Sequence, residues 1–292
     1  MSLEAQSTLL ALASALGFAS ATVANRVALR HMTTLAGATV SIPAVTTVLW
    51  LLAPWWLRDT GAHLDAVAVF AAIGLLFPAT VTLMIYESNA RLGPTTTATV
   101  SSTAPLFAFS AAVLFLGEVL SLSVTVATVM IVAGIAMLSW NARPMPRGGA
   151  SRPRDLLLPT GAAVVRGASQ VAMKFGLALW PSAYAATLVG YTVSTMVVLL
   201  ASRLAGRRHP LSYTRRGIVA FLVVGACNGS AMFLMYAALA HGEVVRVAPI
   251  VASYPLLTLL LSALFLREER FTHRQLGGIA LTVAGVALCV QR

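Results

Sequence analysis

Acidic side chains are scarce in this chain: there are nine Asp and Glu among 292 residues, and charged residues of both signs make up only 10%. So little charge cannot furnish the solvated surface of a water-soluble domain of this length. The acids, Glu4, Asp59, Asp65, Glu87, Glu118, Asp155, Glu243, Glu268 and Glu269, all fall in gaps or at the ends of apolar runs. A mid-membrane carboxylate that alternately binds proton and solute is therefore lacking, which disfavours tight proton coupling. The two cysteines, Cys227 and Cys289, sit inside apolar runs and imply no disulfide framework. His31, His63, His209, His241 and His273 lie far apart, with no spacing that puts two on one helix face, so neither a metal site nor a cofactor is expected. No HisGluXXHis or GlyXSerXGly motif occurs, which makes a lipid-modifying membrane enzyme the least favoured class and leaves no catalytic residue to name. Basic residues are more numerous, 20 with a net charge of +11, but they occupy short gaps between apolar runs and form no stripe. Nucleic acid is not an expected partner.

What the chain has in abundance is apolar length: 58% of residues are hydrophobic. Ten runs are long enough to cross a bilayer, which takes about 20 residues at 1.5 Å each. They cover approximately 8–29, 35–57, 65–89, 94–116, 120–140, 156–179, 183–204, 216–240, 244–266 and 274–290. Backbone amides in hydrocarbon must be satisfied within the segment, and uninterrupted runs form helices, whereas barrel strands alternate every second residue. The expected fold class is therefore all-α, a polytopic membrane protein of ten transmembrane helices. No Lys or Arg precedes the first run and Glu4 is its only side-chain charge, so it is expected to be a retained span and not a cleaved signal.

The chain also repeats itself at a constant offset of 150 residues. Pro105 falls on Pro255, Leu114-Phe115-Leu116 on Leu264-Phe265-Leu266, and Glu118 on Glu268, with a ValAlaGly tripeptide further on in each copy. A linker rich in Pro, Gly and Arg at 143–155 divides the chain near its centre, giving expected units at 1–142 and 156–292 with five spans each. Five is odd, so the second unit starts on the opposite side of the membrane and the two units are expected to be inverted repeats around a central cavity. Loop charge gives an orientation. Gaps after odd-numbered spans hold fifteen arginines, from Arg26 and Arg30 to Arg270 and Arg274, whereas the other face holds Arg58, Lys174, Arg246 and Arg292. The positive-inside rule then puts the arginine-rich face in the cytoplasm and both termini outside.

The pattern of Pro105, an apolar stretch, Leu116-Gly117-Glu118 and then Ala133-Gly134, repeated as Pro255 to Glu268 with Ala284-Gly285, resembles the drug/metabolite transporter superfamily, and within it the ten-helix EamA proteins. The resemblance covers essentially the whole chain. It implies a basket of helices around a cavity, multi-pass in a cell membrane such as a bacterial inner membrane, and export of small metabolites, amino acids or drugs; the aromatic amino acid exporters belong to this group. The chain departs from the pattern at Leu16-Gly17, where relatives commonly have TrpGly, and at Arg267, which stands where the first copy has Gly117. Many relatives are expected to have cytoplasmic termini, opposite to the loop-charge orientation.

Within the spans, Pro105 and Pro255 lie about a dozen residues in, near the bilayer midplane. Each removes an amide hydrogen and clashes with the carbonyl four residues back, those of Ser101 and Val251, so they are the expected hinges. Arg166 is about ten residues into the sixth run, too deep to snorkel easily, and a cation at that depth faces water or a partner. With no acid nearby in sequence, its expected partner is a substrate carboxylate held by the planar guanidinium. Ser101, Gln170, Asn228, Tyr236, Ser253 and Tyr254 are the expected polar lining, and Phe18, Phe77, Met84 and Met232 the apolar walls. Trp50, Trp55, Trp56, Trp140 and Trp180 read as interfacial anchors. The expected function is alternating-access export of a small amphipathic solute by a monomer in the lipid bilayer, with amino acids, aromatic ones included, foremost. The alternative is a proton-coupled drug exporter of the same fold, for which Glu87 or Glu243 would supply the acid.

Overall fold

The computed structural model describes residues 3–57, 63–92, 94–119, 121–139, 153–206, 211–266 and 272–290. The arginine-rich linker up to Arg152, Arg58, Asp59, Trp140, residues 207–210, residues 267–270 and Arg292 lie outside them. The described residues form thirteen α-helices that group into ten rods, each matching one of the apolar runs. Six rods are α1 (Leu3–Ala28), α2 (Thr34–Trp56), α7 (Leu122–Ser139), α9 (Ala183–Gly206), α10 (Arg215–His241) and α13 (His273–Val290). The seventh, α8 (Leu157–Leu179), is preceded by a short 3₁₀ turn at Pro153–Leu156.

The remaining three rods are discontinuous. The third run comprises α3 (Leu64–Leu75), a π turn at Leu76–Thr80 and α4 (Val81–Leu92), with Phe77 in extended conformation at φ −136°, ψ 130°. The fourth divides into α5 (Pro94–Ser101) and α6 (Ala104–Leu116), and the ninth into α11 (Val244–Ala252) and α12 (Tyr254–Leu266). Six helical stretches, counting α11 and α12 as one, are long and apolar enough to cross a membrane, so the chain is a multi-pass membrane protein.

Small residues set how closely these rods approach. In a bilayer, helices associate through packing and hydrogen bonds because lipid is as apolar as leucine, and small side chains allow close contact. α7 and α13 cross with backbones nearly touching: a Cβ added at Gly134 would lie 2.8 Å from the Gly278 carbonyl oxygen. α1 meets α10 in antiparallel sense, with Ser7 Oγ donating to the Ala238 carbonyl at 2.9 Å and Ser14 Oγ to that of Ala231 at 2.7 Å. α2 and α9 are also antiparallel: Thr46 and Thr195 hydroxyls pair at 2.8 Å, while Tyr184 donates to the Leu49 carbonyl. α1 and α12 run parallel, joined by Phe18 with Tyr254 at one level and Arg26 with Ser262 two turns on.

Outward faces are apolar, as lipid requires. The duplicated Leu114-Phe115 and Leu264-Phe265 pairs are 70–79% exposed, so this part of the repeat faces the bilayer and not the core. Trp50, Trp55 and Trp56 are exposed toward the end of α2, as interfacial anchors require. Trp180 departs from that expectation. It is 7% exposed and packs against the rings of His63 and Phe70, the latter from α3.

Candidate functional site

The three discontinuities determine what lies at mid-depth. At Pro105 and Pro255 the expected bend becomes a full break just before each proline, and each proline occupies the first turn of the following helix, where a missing amide costs nothing. The two breaks are stitched alike. Thr103 N–H donates to the Val100 carbonyl at 3.1 Å and its hydroxyl to the same oxygen at 2.7 Å. In the second copy Ser253 N–H and hydroxyl donate to the Ile250 carbonyl at 3.1 and 2.7 Å. Ser253, expected in the substrate lining, therefore commits its proton to the backbone break.

The third break is at Phe77-Pro78. Proline offers no N–H to the carbonyl four residues back, Gly74, and Ser194 Oγ from α9 donates to that oxygen at 2.7 Å instead. Close approach makes this possible, since a Cβ at Gly74 would lie 2.6 Å from the Gly190 carbonyl oxygen. The sequence reading did not single out Pro78, although it lies as deep in its run as the other two prolines and carries the same signal.

α8 sits against all three breaks. A Cβ at its Gly167 would be 2.6 Å from the Ala108 amide and 2.9 Å from the Ala104 carbonyl, so α8 presses on the start of α6. The neighbouring Arg166 is nine residues into α8, about 14 Å of rise from its start. Its guanidinium carbon lies 5.7 Å from the ring centre of Phe77 and 5.9 Å from that of Tyr254, the first residue of α12. Phe18 of α1 tilts against Tyr254 at 6.1 Å and 55°. Thus Arg166, Phe77, Tyr254 and Phe18, four of the residues expected in the lining, come together. Guanidinium over aromatic faces is a favourable cation–π arrangement that leaves the N–H edges free for another partner.

No carboxylate among the described residues pairs with Arg166; the described ion pairs join Arg91 to Glu87 and Asp155, and Arg246 to Glu4 and Glu243. Glu87 and Glu243, the acids the proton-coupled alternative requires, are thus both in salt bridges and about half exposed. The Arg166 guanidinium, with no acid against it among the described residues, makes the place electrostatically favourable to an anion.

The other expected residues divide between this centre and its surroundings. Gln170, one turn beyond Arg166 on the same face of α8, is 8% exposed, and its Oε1 has no protein partner. Ser101 Oγ, at the end of α5, is buried and likewise unpartnered. Met84 of α4 reaches Gly161 of α8, its Cε 2.8 Å from where a Cβ would stand. Asn228, Met232 and Tyr236 are spaced four apart on one face of α10. Met232 and Tyr236 are buried in the core that also holds Phe77, while Asn228 is half-buried. Among the described residues no three His, Cys, Asp or Glu side chains gather as a metal site would need.

A family model described as the EamA-like transporter family matches the chain twice, over residues 6–140 and 155–291. A solved structure titled only as a crystal structure of a protein superposes with a TM-score of 0.76 at 17% identity, covering 97% of this chain and 95% of the other. At that identity it speaks for the fold alone. No curated protein matches the chain.

Proposed function

Because this chain belongs to the EamA-like transporter family, a family of small-molecule membrane transporters and not of enzymes, we propose that it exports small amphipathic solutes bearing a carboxylate, amino acids and aromatic ones foremost, by alternating access. The observation that carries the proposal is Arg166: a mid-depth guanidinium set against Phe77 and Tyr254, with no described acid to neutralise it. The solute's carboxylate takes the N–H fork of Arg166, its apolar part lies against Phe18, Phe77 and Tyr254, and Gln170 and Ser101 supply unpartnered oxygens for an ammonium or hydroxyl group. Binding of this kind is strong enough to select and, with only one ionic contact, weak enough to release.

The proposed motion is a rocking of two inverted five-helix units, residues 1–142 and 156–292, about that site. Repeat-related rods support the inversion: α2 with α9, and α7 with α13, are 150 residues apart in sequence and run antiparallel. A whole inverted pair is present in one chain, so the working unit is a monomer. The face that receives Arg26, Arg30 and Arg91 is assigned to the cytoplasm by its arginine excess.

The test is flux of labelled aromatic amino acids in proteoliposomes. Arg166→Ala should lower flux roughly 100-fold, the loss of two charge-assisted hydrogen bonds, with Arg166→Lys intermediate. Full flux in Arg166→Ala, or no amino acid flux in the parent, would sink it.

A further inference from the structure

Between α10 and α11 only Gly242 and Glu243 intervene, and this corner is bound from two sides by opposite charges. Lys174, the single lysine in the chain, donates from Nζ to the carbonyls of Leu239 at 2.8 Å and Gly242 at 2.6 Å. Glu118 accepts from the Val244 amide on one oxygen at 2.8 Å and from the Val245 amide on the other at 2.9 Å. Each charge meets a helix end of opposite polarity: the ammonium satisfies the carbonyls of Leu239 in the last turn of α10 and of Gly242 just beyond it, and the carboxylate the first amides of α11. Glu243 stands at the N-cap position of α11 but makes no side-chain cap bond, so the helix is capped by Glu118 from elsewhere in the chain.

Neither charged residue belongs to the corner. Lys174 comes from α8, two turns beyond Arg166 on the face that also carries Gln170. Glu118 follows Gly117, which ends α6 in the left-handed conformation at φ 67° and turns the chain toward α11. From α1, Ser7 binds the Ala238 carbonyl at 2.9 Å and Glu4 pairs with Arg246 at 3.1 Å. The elements that bear the site residues are thus tied together at one face.

At the opposite face the same tie cannot be built in full, and Glu268, the counterpart of Glu118, lies outside the described residues. The positions 150 residues before Lys174 and Val244 are Ala24, which has no charge, and Pro94, which has no N–H. We propose that Lys174 and Glu118 are positioning residues that latch the α10–α11 corner, closing the route from Arg166 to this face, and that passage of solute there requires both contacts to part. The inference rests on the alternating-access mechanism proposed above. It gives the transporter two differently tied faces, and so a built-in bias between its two open states.

The experiment reads access and needs no solute, so failure of the Arg166 flux test leaves it intact. In a Cys227→Ala/Cys289→Ala background carrying Gln170→Cys as reporter, a membrane-impermeant maleimide is applied from each face separately. Lys174→Met and Glu118→Gln should each speed labelling from the α10–α11 face at least about tenfold, the loss of one charge-assisted contact, and leave labelling from the other face unchanged or slower. Lys174→Arg, which keeps the charge, should fall between parent and Lys174→Met. If Glu118→Gln does not fold, Glu118→Asp keeps the charge, shortens its reach and must still speed labelling from that face. Unchanged labelling in the folded variants, or equal acceleration from both faces, overturns the latch.

Discussion

The third rod and the eighth occupy corresponding places in the two copies, yet one is broken and the other is straight. Gly74, Phe77 and Pro78 of the third correspond at the 150-residue offset to Val224, Cys227 and Asn228 of α10, which runs unbroken for 27 residues. The partner position differs in step: Ser194, which holds the freed Gly74 carbonyl, corresponds to Ala44. By contrast the breaks before Pro105 and Pro255 are alike down to the hydroxyl that stitches them. Breaks shared by both copies are features of the scaffold, which a symmetric rocking motion needs. The unshared one brings Phe77 to Arg166, whose counterpart Leu16 is 49% exposed. The asymmetric substitutions are therefore what set Phe77 against Arg166 in the proposed recognition site.

Making the copies alike should reveal which differences the protein depends on. Leu16→Arg would give the first copy its own mid-depth cation, but on an exposed helix face. It should cost about 3 kcal/mol and be seen as poor insertion and a lowered unfolding midpoint in detergent. Gly74→Val installs the eighth rod's residue where even a Cβ would stand 2.6 Å from the Gly190 carbonyl oxygen, and overpacking there should cost about 2–3 kcal/mol by the same measurement. Ser194→Ala copies Ala44 and leaves the Gly74 carbonyl without its hydroxyl. The expected loss is about 1–2 kcal/mol, with flux falling as Phe77 loses its position. Thr103→Ala and Ser253→Ala should be the mildest, about 1 kcal/mol each and equal within about 0.5 kcal/mol. A clear inequality between them would mean that the two breaks are not equivalent.

Much of the fold is legible in apolar length, because a bilayer allows few solutions: ten runs, ten rods, with ends agreeing closely. The depth of Arg166 and its lack of an acidic partner were readable in the same way, since both follow from counting along runs. Phe77 and Tyr254 beside Arg166 were expected in the lining but not as its direct neighbours, since periodicity places a side chain on a face and not against a residue 89 or 88 positions away. Ser253 was assigned to solute contact because a hydroxyl inside a span must find some partner, and sequence does not say whether that partner is ligand or backbone. Glu118 appeared only as an acid at the end of a run and Lys174 only as one of the few charges of the arginine-poor face. Their pairing with helix ends 126 and 65 residues away is a tertiary fact.

Composition and run length by themselves determined that this is a helical, multi-pass membrane protein, since hydrocarbon forces every backbone amide into an intrahelical bond. Where those helices break was decided only by tertiary structure. Proline marks a place where a carbonyl loses its partner, and α2 carries Pro43 and Pro54 without interruption. Whether the chain opens at such a place depends on what lies opposite. Gly74 finds the Ser194 hydroxyl on another helix, while the breaks before Pro105 and Pro255 are stitched within their own rods, by Thr103 to the Val100 carbonyl and Ser253 to that of Ile250. A freed carbonyl in a membrane is tolerated only where packing supplies a donor, and packing is what a linear sequence does not list.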